Sequence, residues 1–247
     1  MEKPVTEKRI AMWSGPRNIS TAMMRSFGNR ADCAVVDEPL YGPYLALTGK
    51  DHPGADEVIA AQGGDWRAVV NSLGGPIPAG RSLYYQKHMT HHMLPQIDLE
   101  WLHGLTHCFL IRDPAEVLAS YSVRRSDFDA SDLGFEQQLR LFQHVCNTSG
   151  RIPVVIDGNH VLADPERALR RLCGALAIDF DPAMLHWQAG PRASDGVWGK
   201  YWYDRVWDST GFTPRRSKSA VLNEAQRELA EQCRPAYETL YRHRLKL

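Results

Sequence analysis

The sequence predicts an α/β fold built on a central parallel sheet. Three observations predict it. Short apolar runs alternate with helical patterns along the 247 residues, as βαβ units require. Apolar content of 43% beside charged content of 23% is that of a soluble globular chain. No internal repeat or low-complexity stretch interrupts the alternation. The length accommodates one large α/β domain or two small ones. With no linker-like stretch in view, residues 1–247 are read as a single domain.

The elements follow in order. "RIAMWS" reads as the first strand, and residues 19–29 as the helix after it. "CAVVDE", "SLYYQK", "HCFLIR" and "IPVVID" read as four further strands. Helices are expected near 114–125, 135–148 and 165–176, the last opened by Asp164 as cap and Pro165 at the first helical position. A final helix is expected near 223–242. Residues 51–65 and 74–80 are rich in Gly and Pro and read as surface excursions. Residues 190–218 have no clear period but hold Trp198, Trp202 and Trp207. So aromatic a stretch is expected to be ordered, and long irregular segments in compact domains usually serve function.

Composition excludes some function classes. Lys and Arg total 29, Asp and Glu total 29, so the net charge is zero. Nothing there suggests a nucleic-acid coat or a membrane-surface tether. No apolar stretch is long enough to span a bilayer, and "MEKPVTEKRI" lacks the apolar core of a secretion signal. Five cysteines, odd in number and without CxxC spacing, argue against a disulfide framework or a zinc site. They point to a reducing, cytoplasmic setting.

The bend "SGPRNIST" carries the first chemistry. It joins a strand to a helix, where exposed N–H groups and the positive end of the helix dipole favour anions. Gly15 is expected to allow close backbone approach, and Pro16 to stiffen the turn. Arg17 supplies a permanent cation, while Ser20 and Thr21 supply hydroxyls. The bland reading is a capped turn with an exposed arginine. The nucleotide-triphosphate pattern G-x-x-x-x-G-K-[ST] fails here: Ser20 stands where the second Gly belongs, and no lysine follows. "LIRDPAEVLASYSVRR" carries the second element. Arg112 ends a strand, where open α/β sheets bind ligands, and Ser120 and Arg124 share a helix face beyond it. Two such elements suit a ligand with two separated anionic groups. Otherwise Arg112 pairs locally with Asp113 and Ser120 faces solvent.

These two stretches together resemble the sulfotransferases that use 3′-phosphoadenosine 5′-phosphosulfate. "GPRNISTAM" is similar to the family's 5′-phosphosulfate loop, and "LIRDPAEVLAS" to its 3′-phosphate motif, an Arg followed eight residues later by Ser. The resemblance implies a three-layer α/β sandwich related to P-loop nucleoside kinases, with no metal required. It implies that the loop from Gly15 through Asn18 and Ile19, with Arg17, Ser20 and Thr21, holds the 5′-phosphosulfate. Arg112 and Ser120 would hold the 3′-phosphate. Ile19 departs from the pattern, which has Gly there. "YYQKHMTHHMLP" resembles the Lys-x-His segment of cytosolic members: His88 matches by its distance to Pro95, while Lys87 falls one residue late. "VVDEPLYGPY" resembles the region where sugar-modifying members place a Glu base, which makes Glu38 a second candidate. "DGVWGKYW" is similar to a late loop over the 3′-phosphate, making Lys200 a candidate there.

The expected reaction is in-line transfer of a sulfuryl group to a hydroxyl or amine of a small-molecule acceptor. Arg17 would stabilise the departing phosphate, and Glu38 or His88 would take the acceptor proton. His91 and His92 read as surface or capping residues. Tyr41 and Tyr44 read equally as acceptor-site walls or as packing. Two other functions stay open at this level: a small-metabolite kinase with a degenerate loop, and a non-catalytic nucleotide-binding protein. The acceptor and the oligomeric state cannot be read.

Overall fold

The computed structural model describes residues 7–125, 127–213 and 221–247. The first half runs β1 (Lys8–Ser14), α1 (Ser20–Gly28), β2 (Cys33–Asp37), α2 (Tyr41–Thr48), α3 (Ala55–Gln62), α4 (Trp66–Gly74), β3 (Leu83–Met89) and β4 (Thr106–Ile111). The second half runs α5 (Pro114–Tyr121), α6 (Ala130–Leu133), α7 (Phe135–Ser149), β5 (Val154–Asp157), α8 (Gly158–Ala163), α9 (Pro165–Ala175), α10 (Gly199–Trp202), α11 (Asp204–Trp207) and α12 (Glu224–Arg242). All five expected strands form, and they pair in parallel in the order β2-β3-β1-β4-β5.

Helices cover both faces of this sheet, giving three layers. Strand alternation sends Ile10 and Met12 to one face and Ala11 and Trp13 to the other. Ile10 and Met12 pack with Met23, Met24 and Phe27 of α1 and Leu169 and Leu172 of α9. Ala11 and Trp13 pack with Val117 of α5, Leu141 of α7 and Tyr237 of α12. On α1 the buried Met23, Met24 and Phe27 recur at helical spacing, and Phe27 stacks on Tyr85 of β3 at 4.4 Å. Burying a side chain such as Phe27 is worth about 2 kcal/mol. From β1 the chain crosses first to β2 and β3 on one side, then to β4 and β5 on the other. That reversal opens a crevice at the carboxyl ends of β1 and β4.

The sequence reading differs from the structure in three places. Residues 51–65 contain α3, and α2 and α4 flank them. Gly42 and Pro43 inside α2 hide it, and α3 buries only Val58, so neither shows an apolar stripe. The helix after Arg112 ends at Tyr121, short of residue 125. Residues 190–213 contain two one-turn helices, α10 and α11, while 214–218 lie outside the described residues. Asp164 caps α9 as expected, accepting from the backbone N–H of Arg167 at 3.1 Å.

Gly15 also has a different reason from the expected one. A Cβ there would lie 2.6 Å from the carbonyl oxygen of Leu133, so the close approach is to the chain's own backbone. Replacing Gly15 by Ala should therefore cost ~1–3 kcal/mol of stability through overpacking. Denaturant titration of Gly15→Ala checks this, and a midpoint equal to wild type would contradict it.

Candidate active site

The loop after β1 turns by two left-handed residues, Arg17 at φ 62° and Ile19 at φ 57°. Alternating such conformations curls successive amides into a concave anion cradle. Only Gly adopts positive φ freely, which is why the family pattern places Gly where Ile19 stands. Ile19 is partly buried in the core layer beside α1, and Gly158 makes room for it. Packing thus sustains a strain of order 1–3 kcal/mol. Asn18 ties the loop down by donating to the Leu110 carbonyl at 3.2 Å. Neither a capping side chain nor an acidic residue covers the first turn of α1. Its N–H groups and positive dipole end stay uncompensated.

A cleft of about 510 Å³ opens over that terminus. Arg17, Asn18, Ile19, Ser20 and Thr21 line it, and so do Arg112 and Ser120. The two elements read from sequence therefore meet in one site. Arg17 Nε donates to Ser120 Oγ at 3.0 Å, and Arg112 Nη1 donates to the Arg17 carbonyl at 2.8 Å. Arg112 pairs with Glu116 at 2.9 Å, not with Asp113, which caps α5 and pairs with Arg234. Arg124 and Arg205 complete the basic wall, with Arg124 held by Asp204. Burial, then the charges of Arg124 and Arg205, depress the Arg17 pKa below its ordinary value. A bound anion would relieve that repulsion.

An acid–lysine cluster also reaches the cleft, through Glu38 and Tyr203. Asp37 ends β2 and pairs in register with Lys87 of β3. Lys87 Nζ, fully buried, reaches Asp37 at 2.8 Å, Glu38, and the Tyr203 hydroxyl at 2.9 Å. The Tyr203 hydroxyl donates to Asp37 at 2.7 Å. Burial opposes the charge on Lys87, but Asp37 and Glu38 outweigh it and raise its pKa. Glu38 lines the cleft. Burial lifts its pKa above the ordinary carboxylate range, Lys87 opposes the rise, and Asp37 adds to it.

Four readings need correction. His88 does not line the cleft. It lies on β3 against Trp13, with ring centroids 4.4 Å apart, and burial lowers its pKa to about 3. Lys200 is also absent from the cleft; half-exposed on α10, it pairs with Glu57 at 2.6 Å. Gly15 lies behind the loop and does not line the cleft. His91 and His92 are buried, because the turn after β3 tucks beneath α2. There His92 stacks on Tyr41 at 4.8 Å and 6°. Both histidines line the cleft with Tyr41 and His52, whereas buried Tyr44 packs behind them. Lys87, Arg205 and Tyr203 went unread as site residues. Their only signal was the lysine beside His88 and the aromatic density near residue 200. Among the described residues no group of three or more His, Cys, Asp or Glu could hold a metal ion.

A basic cleft over a helix N-terminus, at the switch point of a parallel sheet, is an arrangement that can hold an anion. The Sulfotransferase domain model matches residues 8–243, and the chain belongs to that family. It is 36% identical over 237 residues to branched-chain-amino-acid aminotransferase-like protein 2 of Arabidopsis thaliana, covering 95% of this chain. The chain spans 41% of that relative's length. Among solved structures, the sulfotransferase domain from the Synechococcus PCC 7002 olefin synthase superposes with a TM-score of 0.53 at 18% identity, covering 92% of this chain and 94% of that one. Mouse sulfotransferase SULT7A1 complexed with PAP gives 0.51 at 10% identity, covering 98% and 90%. At such identities the two structures establish the shared fold.

The buried imidazoles make stability depend on pH. Burial lowers the pKa of His52 and His107 to about 4, of His88 and His91 to about 3, and of His92 well below 6.5. In the unfolded chain each titrates near 6.5. Below that pH the unfolded state takes up protons that the native state refuses, so stability falls as pH falls. The slope reaches ~1.4 kcal/mol per pH unit for each histidine between about 6.5 and 4. Glu38 and Asp157, whose pKa values are raised by burial, act in the opposite sense but are two against five. Denaturation midpoints measured at pH 7 and pH 5 should drop markedly, and a flat profile would contradict neutral burial.

Proposed function

We propose that this domain transfers the sulfuryl group of 3′-phosphoadenosine 5′-phosphosulfate to a hydroxyl or amine of a small-molecule acceptor. The observation that carries the reading is the joining of the two anion elements across one cleft by Arg17 and Ser120. The uncapped α1 terminus, the depressed Arg17 and the arginine wall fit a ligand with two anionic groups. When bound, the donor supplies the sulfuryl group and a phosphate leaving group. Arg17, Ser20, Thr21 and the α1 amides hold the 5′ end and stabilise charge on the leaving oxygen. Arg112 and Ser120, with Arg124 beside them, hold the 3′-phosphate. Glu38 accepts the acceptor's proton, because it is the carboxylate that reaches the cleft with a raised pKa. His88, walled off by Trp13 and Trp101, is set aside as base, and Lys200 as a donor contact. The acceptor lies toward Glu38, where Tyr41, His52 and His92 also line the cleft. Free thiols at all five cysteines support a reducing, cytoplasmic setting.

Donor binding is tested by thermal shift. Adenosine 3′,5′-bisphosphate should raise the melting temperature in EDTA by mass action. A rise seen only with ATP and magnesium would favour a kinase instead. Arg112→Ala should weaken that bisphosphate about tenfold to a hundredfold, the worth of a charge-assisted bond, and affect adenosine 5′-phosphosulfate less. Equal losses would mean that Arg112 acts through its bond to the Arg17 carbonyl.

The base is tested in single turnover, with an acceptor found by screening alcohols, phenols and amines against radiolabelled donor. Glu38→Gln should lose ~10²-fold or more in rate at unchanged nucleotide affinity. His88→Asn should lose far less, and the reverse order would overturn the assignment.

A further inference from the structure

Glu38 stands on strained backbone. Its φ is 40°, in the left-handed region, although the residue is not Gly. Three bonds fix that conformation. Glu38 N–H donates to the Lys87 carbonyl at 2.9 Å, and its own carbonyl accepts from Tyr41 N–H at 3.0 Å and Gln62 Nε2 at 3.0 Å. Strain held so firmly costs order 1–3 kcal/mol and tends to occur where a side chain must be aimed.

The side chain is held asymmetrically. Lys87 Nζ donates to Oε1, and the Tyr203 hydroxyl, whose proton goes mainly to Asp37 at 2.7 Å, shares it with Oε1 at 3.3 Å. Among the described residues Oε2 has no hydrogen-bond partner. With 12% of the side chain exposed, the free oxygen is the one available to the cleft. As a purely structural device the cluster is a poor one. Two carboxylates share one ammonium, which leaves a buried negative charge that apolar packing would avoid.

Tyr203 follows α10, in the stretch whose Trp202, Asp204 and Arg205 form the outer wall of the cleft. That stretch is pinned beneath the site. Trp198 Nε1 donates to the Tyr203 hydroxyl at 3.1 Å, and Gly196 N–H to Asp37 at 3.3 Å. Asp195 pairs with buried Arg25 at 2.6 Å.

We infer that Lys87 and Tyr203 are positioning residues for Glu38, holding Oε1 so that Oε2 faces the acceptor, and that docking of residues 195–203 thereby sets the base. The inference deepens the proposed function and rests on Glu38 being the base. The charged and titratable groups facing Glu38 are Asp37 from β2, Lys87 from β3, Tyr41 from α2 and Tyr203. Of these, Lys87 and Tyr203 favour the ionised carboxylate, whereas Asp37 disfavours it.

The test is a pH titration of the Glu38 carboxyl, read as the infrared difference between a protein and its Glu38→Gln derivative. It needs no acceptor. Tyr203→Phe removes only the hydroxyl and should raise the ionisation midpoint measurably, by up to about one pH unit, the ceiling set by one charge-assisted bond whose proton is shared with Asp37. Lys87→Met should raise it further. If Lys87→Met fails to fold, Tyr203→Phe decides alone. Tyr201→Phe, in the same stretch but contacting Glu57, should leave the midpoint in place. An unchanged midpoint in Tyr203→Phe overturns the inference. So does a Tyr201→Phe shift as large as that of Tyr203→Phe, which would show general loosening of the segment. Single turnover of Glu38→Gln separates the two readings. Full activity there removes Glu38 as base whatever its midpoint does.

Discussion

The parallel sheet imposes the constraint from which the site follows. With all five strands running one way, their carboxyl ends meet at one edge, and every loop leaving that edge must bury or satisfy its polar groups there. The loop after β1 meets the start of α5 after β4, and the turn after β2 meets the end of β3. One junction becomes cationic through Arg17, Arg112 and Arg124. The other becomes acidic through Asp37 and Glu38, with Lys87 between them. No chain-wide charge is needed, because the net charge of zero conceals a local separation of sign.

Under the proposed function, that separation assigns the two substrates to different parts of the cleft. Among the described residues the arginine wall has Glu116 and Asp204 as its counterions, and only the former is well shielded from water. An exposed pair such as Arg124 with Asp204 is worth little, so a polyanion displaces Asp204 at small cost. The acidic side cannot host a second anion beside Asp37 and Glu38. Its remaining surface is made of aromatic rings and neutral imidazoles, with Tyr41 donating to or accepting from His52 at 2.8 Å. The proposed placement, with the donor at the arginines and the nucleophile facing Glu38, is the order that in-line transfer needs.

The sequence displayed some of this plainly and concealed the rest. The strands with α1 and α5 were legible because apolar runs and turn residues mark them locally. Ser120, in the last turn of α5, was legible by its spacing from Arg112, and Arg17, Ser20, Thr21 and Arg112 were legible because each follows a strand end. Glu38 was legible for the same reason. His88 misled because counting to Pro95 fixes a distance along the chain but not the face of a strand. One residue decides that face, so His88 points to Trp13 while Lys87 points to Asp37. Lys200 misled because one-turn helices leave no period to read. Arg205, five residues on, reaches the cleft instead. The imidazole cluster was hidden because His91, His92 and His52 are brought together by α2 packing, which no local pattern records.

Strain ties these observations together. Among the described residues five non-glycine positions have left-handed backbone: Arg17, Ile19, Glu38, Ala79 and Ala177. Three of them border the cleft. Each costs energy that a relaxed loop would avoid, and each is held by bonds or packing from outside its own loop. Arg112 holds Arg17, the core layer beside α1 holds Ile19, and Lys87 with Gln62 holds Glu38. A site whose hydrogen-bond donors and proposed base are fixed before substrate arrives has less reorganisation left for the reacting complex. The stability of the sheet and its layers is therefore spent partly on geometry at its carboxyl edge. That is why Gln62 and Gly158, which do not line the cleft, matter to its geometry as the arginines do.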